Sequence, residues 1–282
     1  MNKPFIVILL AFFFLSNVYS FLEDNRTYII SVTDPHGFYS AHPHELVDAD
    51  YPSLASFVDH LREQASQLNN CEIFFFENGD LVDGGGLTDQ SNGKLLTFPI
   101  LDDMGYDARN IGNHELYTAD TMLKLNFPGN FVTSNIVHKE SEEPFGHRYL
   151  ILPSKIKNEK ILVFGFLYDM KDYDPSVVFV ENVEDCVKAK WFEDALATPF
   201  VRFIVVLSHM GYHDNLLNVI LSSIRTKKGL QFPVAFITGH THIRASFPLD
   251  KFAFSFEGGK FMDTIGYLSF PNEITNDFYF RF

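Results

Sequence analysis

Residues 106–115 read Tyr-Asp-Ala-Arg-Asn-Ile-Gly-Asn-His-Glu, a short strand-like run from Tyr106 to Ile111 that hands over to Gly112, Asn113, His114 and Glu115. Glycine tolerates positive φ, so Gly112 is expected to let the backbone turn sharply. The turn delivers an amide oxygen and an imidazole side by side at a strand end. A neutral amide oxygen binds a divalent cation without adding charge. An imidazole next to it can give a proton or a hydrogen bond to a reacting oxyanion. A single Gly-Asn turn is common; here four other stretches repeat the design, and the repetition decides the fold.

Working outward, residues 27–33 are rich in β-branched and aromatic side chains, read as a strand and run into Asp34-Pro35-His36-Gly37. The apolar run 72–77 ends in Asn78-Gly79-Asp80, followed by Asp83-Gly84-Gly85-Gly86. Residues 202–207 lead to Ser208-His209, and residues 232–238 lead to Gly239-His240-Thr241-His242. Helical spacing of apolar residues predicts helices at 54–68, 94–104, 116–125, 183–196 and 215–225. Further strands are predicted at 130–136, 147–152, 160–167, 252–256 and 261–270, with 168–180 as a loop after Leu167. Strands alternating with helices indicate an α/β layered fold. Continuous apolar runs indicate strands covered on both faces. No repeat or low-complexity linker interrupts residues 21–282, which read as one domain.

In open α/β sheets, ligands sit outside the carboxyl ends of the strands. That topology brings Asp34, His36, Asp80, Asn113, His114, His209, His240 and His242 to one rim. Mixed oxygen and nitrogen donors suit borderline divalent ions such as Zn, Mn, Fe or Co. There are more donors than one tetrahedral ion needs, and a bridging Asp80 between two ions would use them all. Two ions about 3.5–4 Å apart are a recurring device for phosphoryl displacement. Taken singly, each fragment also reads as an ordinary strand-exit turn. The case rests on all five occurring in this order, each at a strand end.

The 282-residue chain is 46% hydrophobic and 21% charged, which supports a sizeable core and argues against disorder. A formal net charge of −14 argues against nucleic acid as a partner. Lys3, the apolar run 5–15 and Val18-Tyr19-Ser20 read as a secretory signal peptide over residues 1–20. The run is too short to span a bilayer, which takes roughly 20 apolar residues, so no stable membrane insertion is expected after cleavage. Asn25-Arg26-Thr27 is a glycosylation acceptor. Cys71 and Cys186 are the two cysteines of an oxidising-compartment chain, and their spacing leaves pairing open.

Asp34-x-His36, Gly79-Asp80-x-x-Asp83, Gly112-Asn113-His114-Glu115, His209 and Gly239-His240-x-His242 resemble the five-motif signature of calcineurin-like metallophosphoesterases. The resemblance implies a four-layer α-β-β-α sandwich, with two sheets face to face and helices outside. It implies that Asp34, His36, Asp80 and His242 bind one divalent metal ion, and that Asp80, Asn113, His209 and His240 bind a second. His114 would stabilise developing charge or protonate the leaving oxygen. Within the family the chain is most similar to the catalytic domain of the 5′-nucleotidase branch, through His209-Met210-Gly211-Tyr212, the run to Arg244, and Gly266-Tyr267-Leu268. Glu115-Leu116-Tyr117 resembles fungal members of the secretory pathway.

Two departures matter. Nucleotidases carry an Asp three residues after the motif His, and here Tyr117 stands there, so Asp83 is the candidate acid for orienting His114. The second, base-gripping domain of bilobal nucleotidases is not found before Phe282, which weakens the expectation of nucleotide specificity. Phe38, Tyr39, Tyr117 and Tyr212 are left as a makeshift stacking surface. The expected activity is a metal-dependent phosphomonoesterase acting on nucleotides or other small phosphorylated substrates. The alternatives are a phosphodiesterase or nucleotide-sugar hydrolase, and a non-catalytic secreted binding module.

Overall fold

The computed structural model describes residues 21–39, 50–84, 97–125, 127, 129–156, 158–275 and 278–281. Residues 1–20, expected to be a signal peptide, the stretch 40–49, Gly85, Gly86 and the start of the helix expected at 94–104 lie outside the described residues.

The first sheet has four strands in the order β12-β1-β2-β3, made of β1 (Arg26–Val32), β2 (Glu72–Glu77), β3 (Ala108–Arg109) and β12 (Gly266–Pro271). Strands β1, β2 and β3 run parallel, and β12 returns antiparallel to β1. The second sheet contains β5 (Tyr149–Pro153), β6 (Lys160–Leu167), β8 (Val201–His209), β9 (Val234–Thr238), β10 (Arg244–Asp250) and β11 (Ala253–Gly258). Its order is β10-β11-β9-β8-β6-β5, with parallel β6, β8, β9 and β11 at its centre. A small ladder joins β4 (Ile136–His138) and β7 (Val178–Val180).

Successive side chains of a strand point to opposite faces, which turns the apolar runs into three cores. Ile29, Phe74 and Phe76 of the first sheet meet Val163, Phe203, Val205 and Leu207 of the second between the sheets. Ile30, Ile73 and Phe75 face outward onto Leu54, Val58, Leu61 and Ala65 of α1 (Tyr51–Ser66). On the far side, Phe164, Ile204 and Val206 pack against helices α4 (Val183–Cys186), α5 (Lys190–Leu196) and α6 (Asn215–Lys228). The molecule is therefore the four-layer sandwich that the resemblance implied. Helices α2 (Thr97–Asp103) and α3 (Ala119–Lys124) are the remaining α-helices among the described residues. The Asp50 carboxylate accepts from Ser53 N at 2.8 Å and fixes the start of α1, with Pro in its first turn.

Several elements differ from expectation. The strand expected at 106–111 pairs only at Ala108 and Arg109, because the Asp107 carboxylate takes the Phe75 N–H at 2.7 Å. The strand expected at 130–136 is reduced to single bridges at Phe131 and Val132 before β4 begins. The helix expected at 183–196 breaks into α4 and α5, where Lys188 and Ala189 make tight i→i−3 hydrogen bonds. The loop 168–180 contains β7, and the strand expected from residue 261 begins at Gly266. Strand β10 was not anticipated; Pro248 disguises it, and it occupies a sheet edge, where proline is tolerated. Cys71 and Cys186 are both free and buried.

At the amino ends of the parallel strands, Arg202 of β8 forms a buried ion pair with Glu72 of β2 and reaches Glu159 at 2.6 Å. Glu72 also accepts from Thr27, Ser154 and the Lys155 N–H. This network ties the two sheets together at the rim opposite the motifs.

Candidate metal centre

Each motif follows a strand carboxyl end. Asp34 and His36 leave β1, Asp80 leaves β2, Asn113 and His114 follow β3, His209 ends β8, and His240 and His242 follow β9. Two donor groups result, each with its ligand atoms within 4.8 Å of one another: Asp34, His36, Asp80 and His242, and Asp80, His209 and His240. Asp80 is common to both. Asn113 joins the second group, with its Oδ1 2.8 Å from His240 Nδ1. His36 Nε2 and His242 Nε2 are 3.0 Å apart, and His209 Nε2 is 3.1 Å from Asp80 Oδ2. Donors at about 2.0–2.2 Å from a shared ion lie roughly 3 Å from one another, so these spacings fit two cations.

The chemistry of the donors fits as well. His209 Nδ1 donates to the Asn78 carbonyl at 2.7 Å, which aims the buried Nε2 at Asp80; in the neutral ring Nε2 is then the nitrogen with the lone pair a cation needs. His36 Nδ1 faces the Val82 carbonyl at 3.1 Å, which likewise turns Nε2 inward. A backbone carbonyl behind a ligating imidazole fixes its tautomer. Burial lowers the His36 and His240 imidazoles and favours the neutral form. Burial also opposes charge on His209, but the Asp80 and Asp34 carboxylates outweigh it and push His209 up to about 10. Desolvation opposes charge on Asp80, but the His209, His114 and His36 imidazoles outweigh it and hold its carboxyl below the usual range.

Backbone strain is concentrated here. Asp34, His36, Asp80, Asp83, His240 and His242 all have φ between 46° and 74°, an unusual conformation for side-chain-bearing residues. Gly112, by contrast, does not sit at positive φ. It is needed for space, because a Cβ there would lie 2.2 Å from Asp80 Oδ1 and 2.7 Å from His209 Cε1. The positive φ belongs to Gly79, at 92°, whose Cβ would collide with Gly112 N.

His114 is half-buried. Its ring meets the His36 ring edge-on at 4.7 Å, and its Nε2 is 4.0 Å from Asp80 Oδ2. Asp83 Oδ2 lies 3.8 Å from His114 Nδ1, the acid nearest that nitrogen. Burial disfavours the imidazolium, but Asp83 and Asp80 outweigh it and raise His114. Tyr117 accepts from Asn113 Nδ2 at 2.9 Å, turning the amide oxygen inward.

Three residues carry more than the sequence indicated. Glu115 is fully buried, and its carboxylate accepts four backbone N–H groups: Asp80 at 2.9 Å, Leu81 at 2.7 Å, Val82 at 3.2 Å and Gly112 at 2.8 Å. It fastens the Asp80 loop to the Asn113 loop. Burial and the Asp80 carboxylate push Glu115 up to about 7, against N–H donors that favour the ionised form. Glu257 of β11 accepts from Thr241 Oγ1 at 2.8 Å and from Ile243 N at 3.3 Å, holding the chain around His242. A lone acid inside the apolar run 253–258 was the available signal, since a buried carboxylate must find partners. Phe261 packs on the rings of His36 and His242. Of the aromatics expected near the site, Phe38 and Tyr117 are there. Tyr39 is core: it is 4% exposed, packs on Tyr51 and donates to the Leu81 carbonyl. Tyr212 packs against His213.

A family model described as calcineurin-like phosphoesterase matches residues 27–244. An uncharacterized protein of Saccharomyces cerevisiae is 29% identical over 259 residues, covering 85% of this chain and 43% of its own length. A protein of Arthroderma benhamiae named "Secreted protein" is 31% identical over 264 residues, covering 88% of this chain and 39% of its own. The crystal structure of a 5′-nucleotidase from Candida albicans superposes with a TM-score of 0.80 at 26% identity, over 88% of this chain and 48% of that one. The chain thus spans less than half the length of these relatives.

Proposed function

Because this chain belongs to the calcineurin-like phosphoesterase family, hydrolases acting on phosphoester bonds, we propose that it is a two-metal phosphomonoesterase of the secretory pathway acting on nucleotides and other small phosphates. The observation that carries this reading is the pair of donor groups sharing Asp80. Divalent cations bound there would supply charge neutralisation and Lewis acidity toward a phosphoryl oxygen. The positions of the chain's own groups support the following roles. Asp34, His36, Asp80 and His242 would hold one ion; Asp80, Asn113, His209 and His240 would hold the other. His114 gives a proton to the leaving oxygen, a task worth roughly two to four orders of magnitude in rate. Asp83, beside His114 Nδ1, orients that ring.

A secretory destination is supported by the Arthroderma relative's name and by the exposed Asn25 of the acceptor triplet. Among the described residues, no helix is long and apolar enough to cross a membrane. Residues 1–20 act as the leader on this reading, and residues 21–282 form the catalytic unit. Metal analysis, with p-nitrophenol release from p-nitrophenyl phosphate and its diester and chromatographic product analysis for nucleoside mono-, di- and triphosphates and nucleotide sugars, tests the proposal. Two bound ions and monoester turnover are expected. Preference for the diester or for nucleotide sugars would reassign the substrate, and a metal-free, inert protein would mark a binding module.

A further inference from the structure

The strain at the metal centre extends to a loop that supplies no donor. Phe261 and Met262, in the β11–β12 loop, have φ of 53° and 63°. Consecutive non-glycine residues in this region cost about 1–3 kcal/mol each and persist only where the surroundings enforce them. The enforcement is visible: Phe261 N donates to the Asp34 carbonyl at 2.9 Å, Asp263 N to the Lys260 carbonyl at 3.0 Å, and Gly259 N to Ile243 O at 3.0 Å. The Met262 side chain is 3% exposed and anchors the loop in the core beneath the first sheet. The Arg244–Asp263 ion pair, at 2.7 Å, ties the loop to β10.

The result is a rigid loop that holds an aromatic ring against the centre. The Phe261 centroid lies 5.6 Å from the His36 ring, 5.9 Å from the His242 ring and 4.7 Å from the Phe38 ring. Both imidazoles belong to the ion site of Asp34, so the Phe261–Phe38 pair borders that ion. The Lys260 ammonium sits 4.5 Å from the Phe261 centroid. Phe261 and Phe38 are only partly buried, which leaves apolar surface beside a centre that is otherwise polar.

We infer that Phe261 and Phe38 form an aromatic ledge that receives a planar group attached to the phosphorus, so that the site takes aryl or other ring-bearing phosphate esters in preference to aliphatic ones. This rests on the two-metal reading above. It specifies the chemistry of the group beyond the phosphate without requiring a particular base. An aromatic pair contributes modestly beyond its buried area, which sets the scale at about tenfold in affinity.

The test uses ligands that cannot be hydrolysed, so it stands apart from turnover. Phenylphosphonate and methylphosphonate are titrated into the Mn-loaded full chain by calorimetry, with metal content measured on each sample. The wild type is expected to prefer phenylphosphonate by about tenfold. Phe261→Leu keeps the bulk without the ring, and Phe261→Ala removes both; each should bring the preference to threefold or less with two ions retained. A wild-type preference near one, an unchanged preference in both variants, or loss of metal in step with loss of binding would overturn the ledge and leave Phe261 as packing for His36 and His242. Absence of ester hydrolysis with the preference intact would instead overturn the phosphomonoesterase reading.

Discussion

Glu115→Gln tests the fastening of the two motif loops, because it preserves shape while replacing one carboxylate oxygen with an NH₂ group. One carboxylate oxygen takes the N–H groups of Asp80 and Gly112, and the other takes those of Leu81 and Val82. A glutamine amide keeps one of these oxygens. Its NH₂ group would face two N–H donors that have no other acceptor in a site 0% exposed. Each buried donor left unpaired costs about 1–3 kcal/mol, so the variant should lose about 2–6 kcal/mol. For a domain of this size that is a fall in Tm of roughly 5–20 °C. The assay is thermal unfolding by circular dichroism with EDTA present, repeated with Mn to read how much stabilisation the ions restore. Because the Asp80 and Asn113 loops both hang on this carboxylate, the Mn-induced rise in Tm should shrink as well. A variant within 2 °C of wild type in EDTA would mean that the carboxyl is not acting as a four-fold acceptor, and the fastening argument would fail.

Other outcomes follow from the same geometry. Asp80→Asn should deplete both ions, whereas His114→Ala should keep both and lower kcat by roughly two to four orders of magnitude; equal metal loss in the two variants would show the roles to be misassigned. Arg202→Met should cost about 3–5 kcal/mol in urea denaturation by leaving Glu72 buried without its cation, yet keep two ions per chain, since it acts at the far rim. Kinetics with adenosine, guanosine, cytidine and uridine monophosphates should differ by less than about a hundredfold, 2.7 kcal/mol, because an aromatic ledge grips any planar ring; greater discrimination would require a base pocket built by this chain alone.

What could be read from the sequence was whatever depends on a strand and the few residues after it. The apolar runs 72–77 and 202–207 announced their strands, and Asp80 and His209 announced themselves by standing at the ends of those runs. The layering followed, because runs buried on both faces need cover on both sides. What could not be read depends on partners distant in the chain. Nothing local tells that β12 closes against β1, or that Ala108–Arg109 is all that pairs in its neighbourhood. Glu115 was in view within the motif, but its function lies in N–H groups some 30 residues earlier. Glu257 and Phe261 sit in stretches that look like ordinary strand, and only the approach of the His240–His242 loop and of Asp34 gives them a task. Gly112 was singled out for the wrong property: its value is the missing Cβ, a matter of tertiary crowding.

The donors divide between the two sheets: Asp34, His36, Asp80 and Asn113 come from the first, and His209, His240 and His242 from the second. Each ion site draws on both. Cations seated there would act as rivets across the sandwich, at the rim opposite the Arg202–Glu72 bond. Ligand binding confined to the folded state adds RT ln(1 + [L]/Kd), about 2.7 kcal/mol when the free ion is at a hundred times its Kd. On the two-metal reading, ion supply would therefore govern how long the molecule resists proteolysis, and not only how fast it turns over. A substitution at any donor weakens the seam as well as the chemistry, so a lineage that abandoned catalysis would still have reason to keep its histidines.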